Sequence, residues 1–300
     1  MRVGVSLSST HSVADHRDGA RWMIERAAAA WNAGLDHLTI GDHHNRQVPY
    51  YQNTPMLGRL LAEWGDRAAG CLFLVPLWNP VLMAEQIGTL ASIHTGQFVV
   101  QTGLGFGDGQ FAAMGANPRT RPSDFVEGVR LVKALLEGET VSSERFGLTG
   151  ASISPRPSGP VEWWIGAGAD AAIDRAADMS NIWYGSPGLG LDGARDRLAR
   201  YVSALEARGS SPERLVMRQD VLVAATDDEA RQLAALVLAA GYRGMDESVL
   251  AIGSPETVAE RFDAYAQMGF TDISARQISV PQDAALHSLE LLGEVAIQVS

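Results

Sequence analysis

Eight times along the 300-residue sequence a short β-type run gives way to a helical pattern, and this alternation limits the fold more than any other feature. The runs are residues 3–7, 36–40, 70–75, 98–102, 162–165, 181–184, 214–224 and 271–276. Strands separated by helices read as βαβ units in a parallel sheet. The run 70–75 is apolar almost throughout, as a strand covered on both faces requires. Helical spacing occupies residues 19–33, 54–64, 80–94, 169–179, 227–240, 255–268 and 283–297, with another helix ending at Arg208. Ser123 is the expected N-cap of a helix that stops at Gly138. Eight strands suit a closed (β/α)8 TIM barrel with loop insertions, and 300 residues exceed the ~250 of a plain barrel by a few loops. One domain over residues 1–300 is the expectation, with residues 139–160, rich in Ser, Pro and Gly, as an excursion from it.

Composition supports a folded chain and narrows its partners. Hydrophobic residues at 46% supply a large core. A net charge of −11 with scattered arginines argues against a nucleic-acid partner, which needs clustered cations. Cys71 is the single cysteine, so there is no internal disulfide and no Cys-based zinc site. Residues 1–5 run straight into an alternating segment without a signal-peptide pattern, and no stretch approaches the ~20 apolar residues of a membrane span. A cytoplasmic protein without a membrane partner is expected.

A barrel of this type carries its chemistry on the loops after its strands. Asp42-His43-His44 follows the second strand, where an imidazole can hold a cofactor edge, move a proton or bind a metal. A His pair at a strand end serves packing as readily. A metal needs further ligands, and His11, His16, His37, His94 and His287 show no ligand spacing, so no metal site is expected. Gly166-Ala167-Gly168-Ala169 lies between a strand and a helix, where backbone N–H groups and the helix dipole suit a phosphate; a simple tight turn explains it equally well. The glycines of residues 103–109 either admit a flat ring or only permit positive φ. Tyr50, Tyr51 and Trp78 sit on mouth loops as substrate contacts, whereas Trp163 and Trp164 lie in a strand and belong to the core.

Several segments together resemble the bacterial-luciferase-like family. They are Gly34-Leu35-Asp36-His37-Leu38 leading to Gly41-Asp42-His43-His44; Leu74-Val75-Pro76-Leu77-Trp78-Asn79-Pro80 with Ala84-Glu85-Gln86-Ile87-Gly88-Thr89-Leu90; Gly103-Leu104-Gly105 ahead of Phe111; Trp164-Ile165-Gly166-Ala167-Gly168; and Gly253-Ser254-Pro255-Glu256-Thr257. The resemblance implies a TIM barrel, usually a homodimer, that binds FMN or the deazaflavin F420 and acts on a small-molecule substrate. It implies His43 as the imidazole beside the ring, with Asp42 next to it and His44 toward substrate. It places a non-prolyl cis peptide at Cys71–Leu72 behind the ring. Thr102, Gly103, Gly105, Phe106 and Gly107 would line the ring, and Gly166, Ala167, Gly168 and Ala169 would receive the phosphate. The luciferase branch carries an Arg where this chain has Leu104, and the sugar-phosphate dehydrogenases an acid where it has Phe106. The missing Arg tilts the expectation to F420 and hydride transfer. The alternatives are an FMN-dependent monooxygenase fed by a separate flavin reductase, a non-catalytic flavin-binding protein, and a metal-dependent hydrolase at Asp42, His43 and His44.

Overall fold

The computed structural model describes residues 1–299. Strands β1 (Arg2–Leu7), β2 (His37–Ile40), β3 (Ala68–Leu74), β4 (Phe98–Gly103), β5 (Val141–Ser143), β6 (Leu148–Ala151), β7 (Val161–Ala167), β8 (Ile182–Gly185), β9 (Arg214–Val223), β10 (Ala251–Gly253) and β11 (Asp272–Gln277) appear in chain order. The helices are α1 (His16–Asn32), α2 (Asn53–Trp64), α3 (Pro80–Ile93), α4 (Asp108–Ala113), α5 (Arg121–Glu137), α6 (Asp170–Met179), α7 (Gly190–Glu206), α8 (Asp227–Ala239), α9 (Pro255–Met268) and α10 (Gln282–Gln298). Strand order is β10-β9-β11-β1-β2-β3-β4-β7-β8, and pairing of β9 with β8 closes eight strands into a (β/α)8 barrel, with β10 as an extra strand on β9. Helices start and stop where the chemistry of their ends allows. The Asn79 side chain caps α3 by accepting from Val81 N and Leu82 N, with Pro80 in the first turn. Ser254 caps α9 in the same way through Thr257 N, and Gly269 at φ 106° closes it.

Two compact units compose the chain. The first comprises Met1–Ser8, Arg21–Thr39 and Trp164–Ser300. Its ladder runs in register from β1 through β11 to β9, with Val3 beside Ile273 and Ile273 beside Met217. These three side chains are fully buried, as are Trp164 and Trp183, so both tryptophan indoles and the aliphatic strand residues form core. The second unit comprises Ser9–Ala20 and Ile40–Trp163. There β3 pairs with β4, Cys71 opposite Val100 and Leu72 opposite Gln101. Its core holds Leu57, Leu60, Trp64, Phe73, Ile87 and Phe125.

Three expectations need correction. The Cys71–Leu72 bond is trans; among the described residues the cis peptide is Ser154–Pro155. Cys71 and Leu72 sit inside an unbroken parallel ladder, which demands regular extended backbone on both sides of the bond. Helix α5 begins at Arg121 with Thr120 as its cap, so Ser123 lies within the first turn. The excursion after Gly138 contains β5 and β6, paired as an antiparallel hairpin. The glycine-rich turn ends in helix: α4 starts at Asp108, directly after Gly107.

Candidate active site

Strand β2 delivers Asp42 to a buried position just past its end, 5% exposed. One carboxylate oxygen, Oδ2, accepts from Leu74 N at 2.8 Å and from Trp78 Nε1 at 2.8 Å. Asp42 therefore ties the end of β3 to the following loop and fixes the Trp78 indole, whose ring meets Phe73 edge-on at 5.1 Å. The other oxygen, Oδ1, lies 3.2 Å from His44 Nε2, without hydrogen-bond geometry. Asn53, the first residue of α2, donates to Leu72 O at 2.7 Å and holds the same strand end from the other direction. Both ties satisfy backbone groups that would otherwise be stranded in a buried corner.

His43 is half-buried, and its Nδ1 lies 2.9 Å from His44 O. A carbonyl only accepts, so this contact puts the proton on Nδ1 and leaves Nε2 with a free lone pair. Burial is the largest influence on the ring and lowers its pKa below the ordinary 6.5; the His44 carbonyl opposes this, and the Arg46 charge adds to it. The neutral imidazole is accordingly the form present near pH 7. Tyr50 packs beside it at a ring separation of 5.9 Å. An open cavity of about 420 Å³ lies next to His43, bounded also by Arg46, Val48, Phe106, Gly107 and Gln110.

Gln110 on α4 joins the loop after β2 to the loop after β4. Its Oε1 accepts from His44 N at 2.8 Å, and its Nε2 donates to Phe106 O at 3.2 Å. Sequence reasoning missed this residue, because nothing in a helical Gln beside a glycine turn reveals which loop it will reach. Gly105 and Gly107 have φ of 75° and 86°, a region only glycine enters freely, and they hold the Phe106 side chain 84% exposed. Tyr51 is committed elsewhere: its hydroxyl donates to His16 O at 2.5 Å. Cys71 is fully buried, and burial pushes its thiol well above the usual range, so it packs rather than reacts. Thr102 is buried as well. In the first unit, Gly166, Ala167, Gly168 and Ala169 run from β7 into α6 as expected, with Ala167 O accepting from Trp183 Nε1 at 3.0 Å. Asp170 in the first turn of α6 is paired with Arg197 and Arg200. Among the described residues, no group of three His, Cys, Asp or Glu side chains gathers as a metal site.

The sequence profile of the luciferase-like monooxygenases matches residues 1–246. The chain belongs to this family. The luciferase-like chain is 28% identical over 190 residues to an F420-dependent glucose-6-phosphate dehydrogenase of Mycobacterium avium (strain 104), covering 59% of the chain and 56% of that relative. It is 24% identical over 219 residues to an FMNH(2)-dependent dimethylsulfone monooxygenase of Pseudomonas fluorescens (strain Pf0-1), covering 71% and 56%. The chain thus spans less than two thirds of the length of these curated relatives. Among solved structures it resembles monooxygenase RslO1 from Streptomyces bottropensis, with a TM-score of 0.84, 20% identity and 98% of both chains covered. It also resembles an F420-dependent secondary alcohol dehydrogenase in complex with an F420-acetone adduct, with a TM-score of 0.83, 15% identity and 100% and 99% covered. Both structural likenesses support the barrel fold.

The candidate site combines an apolar cluster, open space and a polar edge, features that suit a flat ring. Leu74, Leu77 and Phe111 form an apolar cluster that Leu72 and Trp78 extend. Space is open at Gly107 and Gly109, where an added Cβ would meet nothing within 4 Å. Asp42 Oδ1 and His44 Nε2 are buried and face each other at 3.2 Å, without hydrogen-bond geometry, and form the polar edge.

Proposed function

We propose that this chain is an oxidoreductase that moves a hydride between the deazaflavin F420 and a small organic substrate. Such a ring supplies the hydride chemistry when bound, and the protein supplies orientation and proton handling. His43 carries the reading: neutral, with Nδ1–H engaged by a backbone carbonyl and Nε2 free beside an open cavity, it is set to take or give a proton. Asp42 does not touch that nitrogen; it holds Trp78 and the end of β3 in place. His44, Tyr50 and Trp78 are the substrate-side groups, and Thr102, Gly103, Gly105, Phe106 and Gly107 the ring-side ones. Gly166, Ala167, Gly168 and Ala169 receive the phosphate through backbone N–H groups. The F420-dependent dehydrogenase relative supports the choice of cofactor.

A second reading, an FMN-dependent monooxygenase served by a separate reductase, is favoured by the dimethylsulfone monooxygenase match. Titrating the purified protein with oxidised F420 and with FMN separates the two. The expected result is a lower dissociation constant for F420, and a clearly lower one for FMN transfers the proposal to the monooxygenase reading. Binding of either ring with no turnover of any substrate by a protein carrying intact His43 supports a non-catalytic flavin carrier instead.

A further inference from the structure

A second polar cluster lies in the first unit, toward the carboxyl ends of β9 and β11. Register places Ser274 beside Arg218 and Arg276 beside Asp220, so alternation along the two strands turns these four side chains to one side of the ladder. Arg218 grips Asp220 through Nε at 3.1 Å and through Nη2 at 2.9 and 3.1 Å. Tyr242 donates its hydroxyl to Asp220 Oδ2 at 2.8 Å, and Arg243 Nη1 stands 4.0 Å from the same oxygen. Arg276 Nη2 donates to Ser8 Oγ at 3.4 Å.

The charges do not balance. Arg218 and Arg243 lie within ion-pair distance of Asp220 and Arg276 stands beside it by register, and among the described residues Asp220 is the one carboxylate within ion-pair distance of any of the three. Both Asp220 oxygens are already engaged, and guanidinium does not relieve repulsion by losing its proton. Arg243 registers the strain: burial, then repulsion from Arg218 and Arg276, lower its pKa. Among the described residues its backbone is one of two non-glycine positions with positive φ, at 53°, between Gly241 at 74° and Gly244 at 68°. A structural ion pair needs neither the second nor the third arginine, nor a left-handed turn to bring one of them in. An incoming anion uses all three, since guanidinium presents paired donors to two oxygens at once.

We propose that Arg218, Arg243 and Arg276 form a binding site for an oxyanion, a carboxylate, sulfonate or phosphate borne by the organic substrate. The assignment to substrate rests on the function proposed above; the anion site itself does not. Inorganic phosphate, benzoate and methanesulfonate are titrated calorimetrically into the protein without cofactor at low ionic strength, where screening is least. The variants are Arg243→Asn, whose new residue tolerates the left-handed backbone at a partly exposed position, and Arg276→Met, with Arg195→Gln on exposed α7 as control.

The expected result is saturable binding of at least one anion, weakened roughly tenfold or more by each of the first two changes and unaltered by the third. No saturable binding, or equal binding by all variants, overturns the site. F420 and FMN are then titrated into Arg243→Asn, whose cofactor affinity should match the unaltered protein. A parallel loss overturns the substrate assignment by giving the cluster to the cofactor's own anionic groups. Failure of the unaltered protein to bind either cofactor defeats the proposed function while leaving the anion result standing.

Discussion

His43 and Asp42 adjoin in sequence but do different work, and substitution separates them. His43→Ala removes a half-buried side chain whose hydrogen bond is to a neighbouring carbonyl, so the fold should survive. With F420 and a turned-over substrate, the rate should fall by ~10²–10⁴-fold at an unchanged melting temperature, as loss of a proton-transfer group predicts. Unaltered turnover with a lowered melting temperature would assign His43 to structure. The pH profile carries the same signature. The ring's pKa is lowered, so the neutral form persists as pH falls past 6.5, and the acid limb of kcat/KM should have its midpoint below that value. Asp42→Ala acts on stability instead. It strands Leu74 N and the Trp78 indole N–H, and an abandoned buried donor costs about 1–3 kcal/mol. Denaturant unfolding should show a loss of that order, with tryptophan fluorescence reporting a changed indole environment.

Elements differ in how much of them a sequence displays. All eight barrel strands were legible to within three residues at each end, because each shows either a continuous apolar run, as in Cys71 to Val75, or an alternating one, as in Val3 to Leu7, between helical patterns. The hairpin of β5 and β6 and the three-residue β10 were not, since strands that short carry no period and exist through their partners. Helix α4 hid behind Gly109, a residue that reads as turn. The site divides in the same way. Asp42, His43, His44 and Trp78 were singled out from their place after strands, and the structure brings Asp42, His44 and Trp78 into contact. Arg218, Asp220 and Arg276 left one readable trace, charged residues inside β-type runs, but their convergence is a matter of register between distant strands. Gln110 is the element-scale test of the mouth. As the joint between two loops it should, when changed to Leu, release His44 N and Phe106 O together. Amide exchange should quicken across residues 43–50 and 104–110 and stay unaltered in β3 and β4, with KM rising more than kcat falls. Exchange confined to residues 104–110 would show that Gln110 supports α4 alone.

At the scale of the whole molecule, one fully buried histidine ties the stability of the fold to pH. His37 on β2 is enclosed in the first unit, its ring edge-on to Trp164 at 5.0 Å, and Gly4 is glycine because a Cβ there would meet the imidazole at 2.2 Å. Neither ring nitrogen has a hydrogen-bond partner. Burial is the dominant influence and drops the pKa to about 4; nearby Asp272 opposes the shift, and Arg2, paired to Asp272, adds to it. The sign follows from which state binds the proton first. An unfolded chain protonates this histidine near 6.5, whereas the folded chain resists until about 4, so the unfolded state holds more protons between those values. Stability contributed by the neutral ring is therefore intact above 6.5, falls as pH drops through that window, and levels off below about 4. The gap amounts to an order of about 3 kcal/mol. His37→Leu keeps an apolar side chain of similar size and removes the titration, so denaturant unfolding at pH 7 and at pH 4.5 should show a smaller acid loss for the variant than for the unaltered protein. Carboxylates and histidines that do not interact with His37 respond alike in both chains and cancel in that difference, while Asp272, its electrostatic neighbour, belongs to the effect being measured. Equal acid losses would mean that water or a rearranged partner reaches the ring, and the source of the fold's acid sensitivity would lie elsewhere.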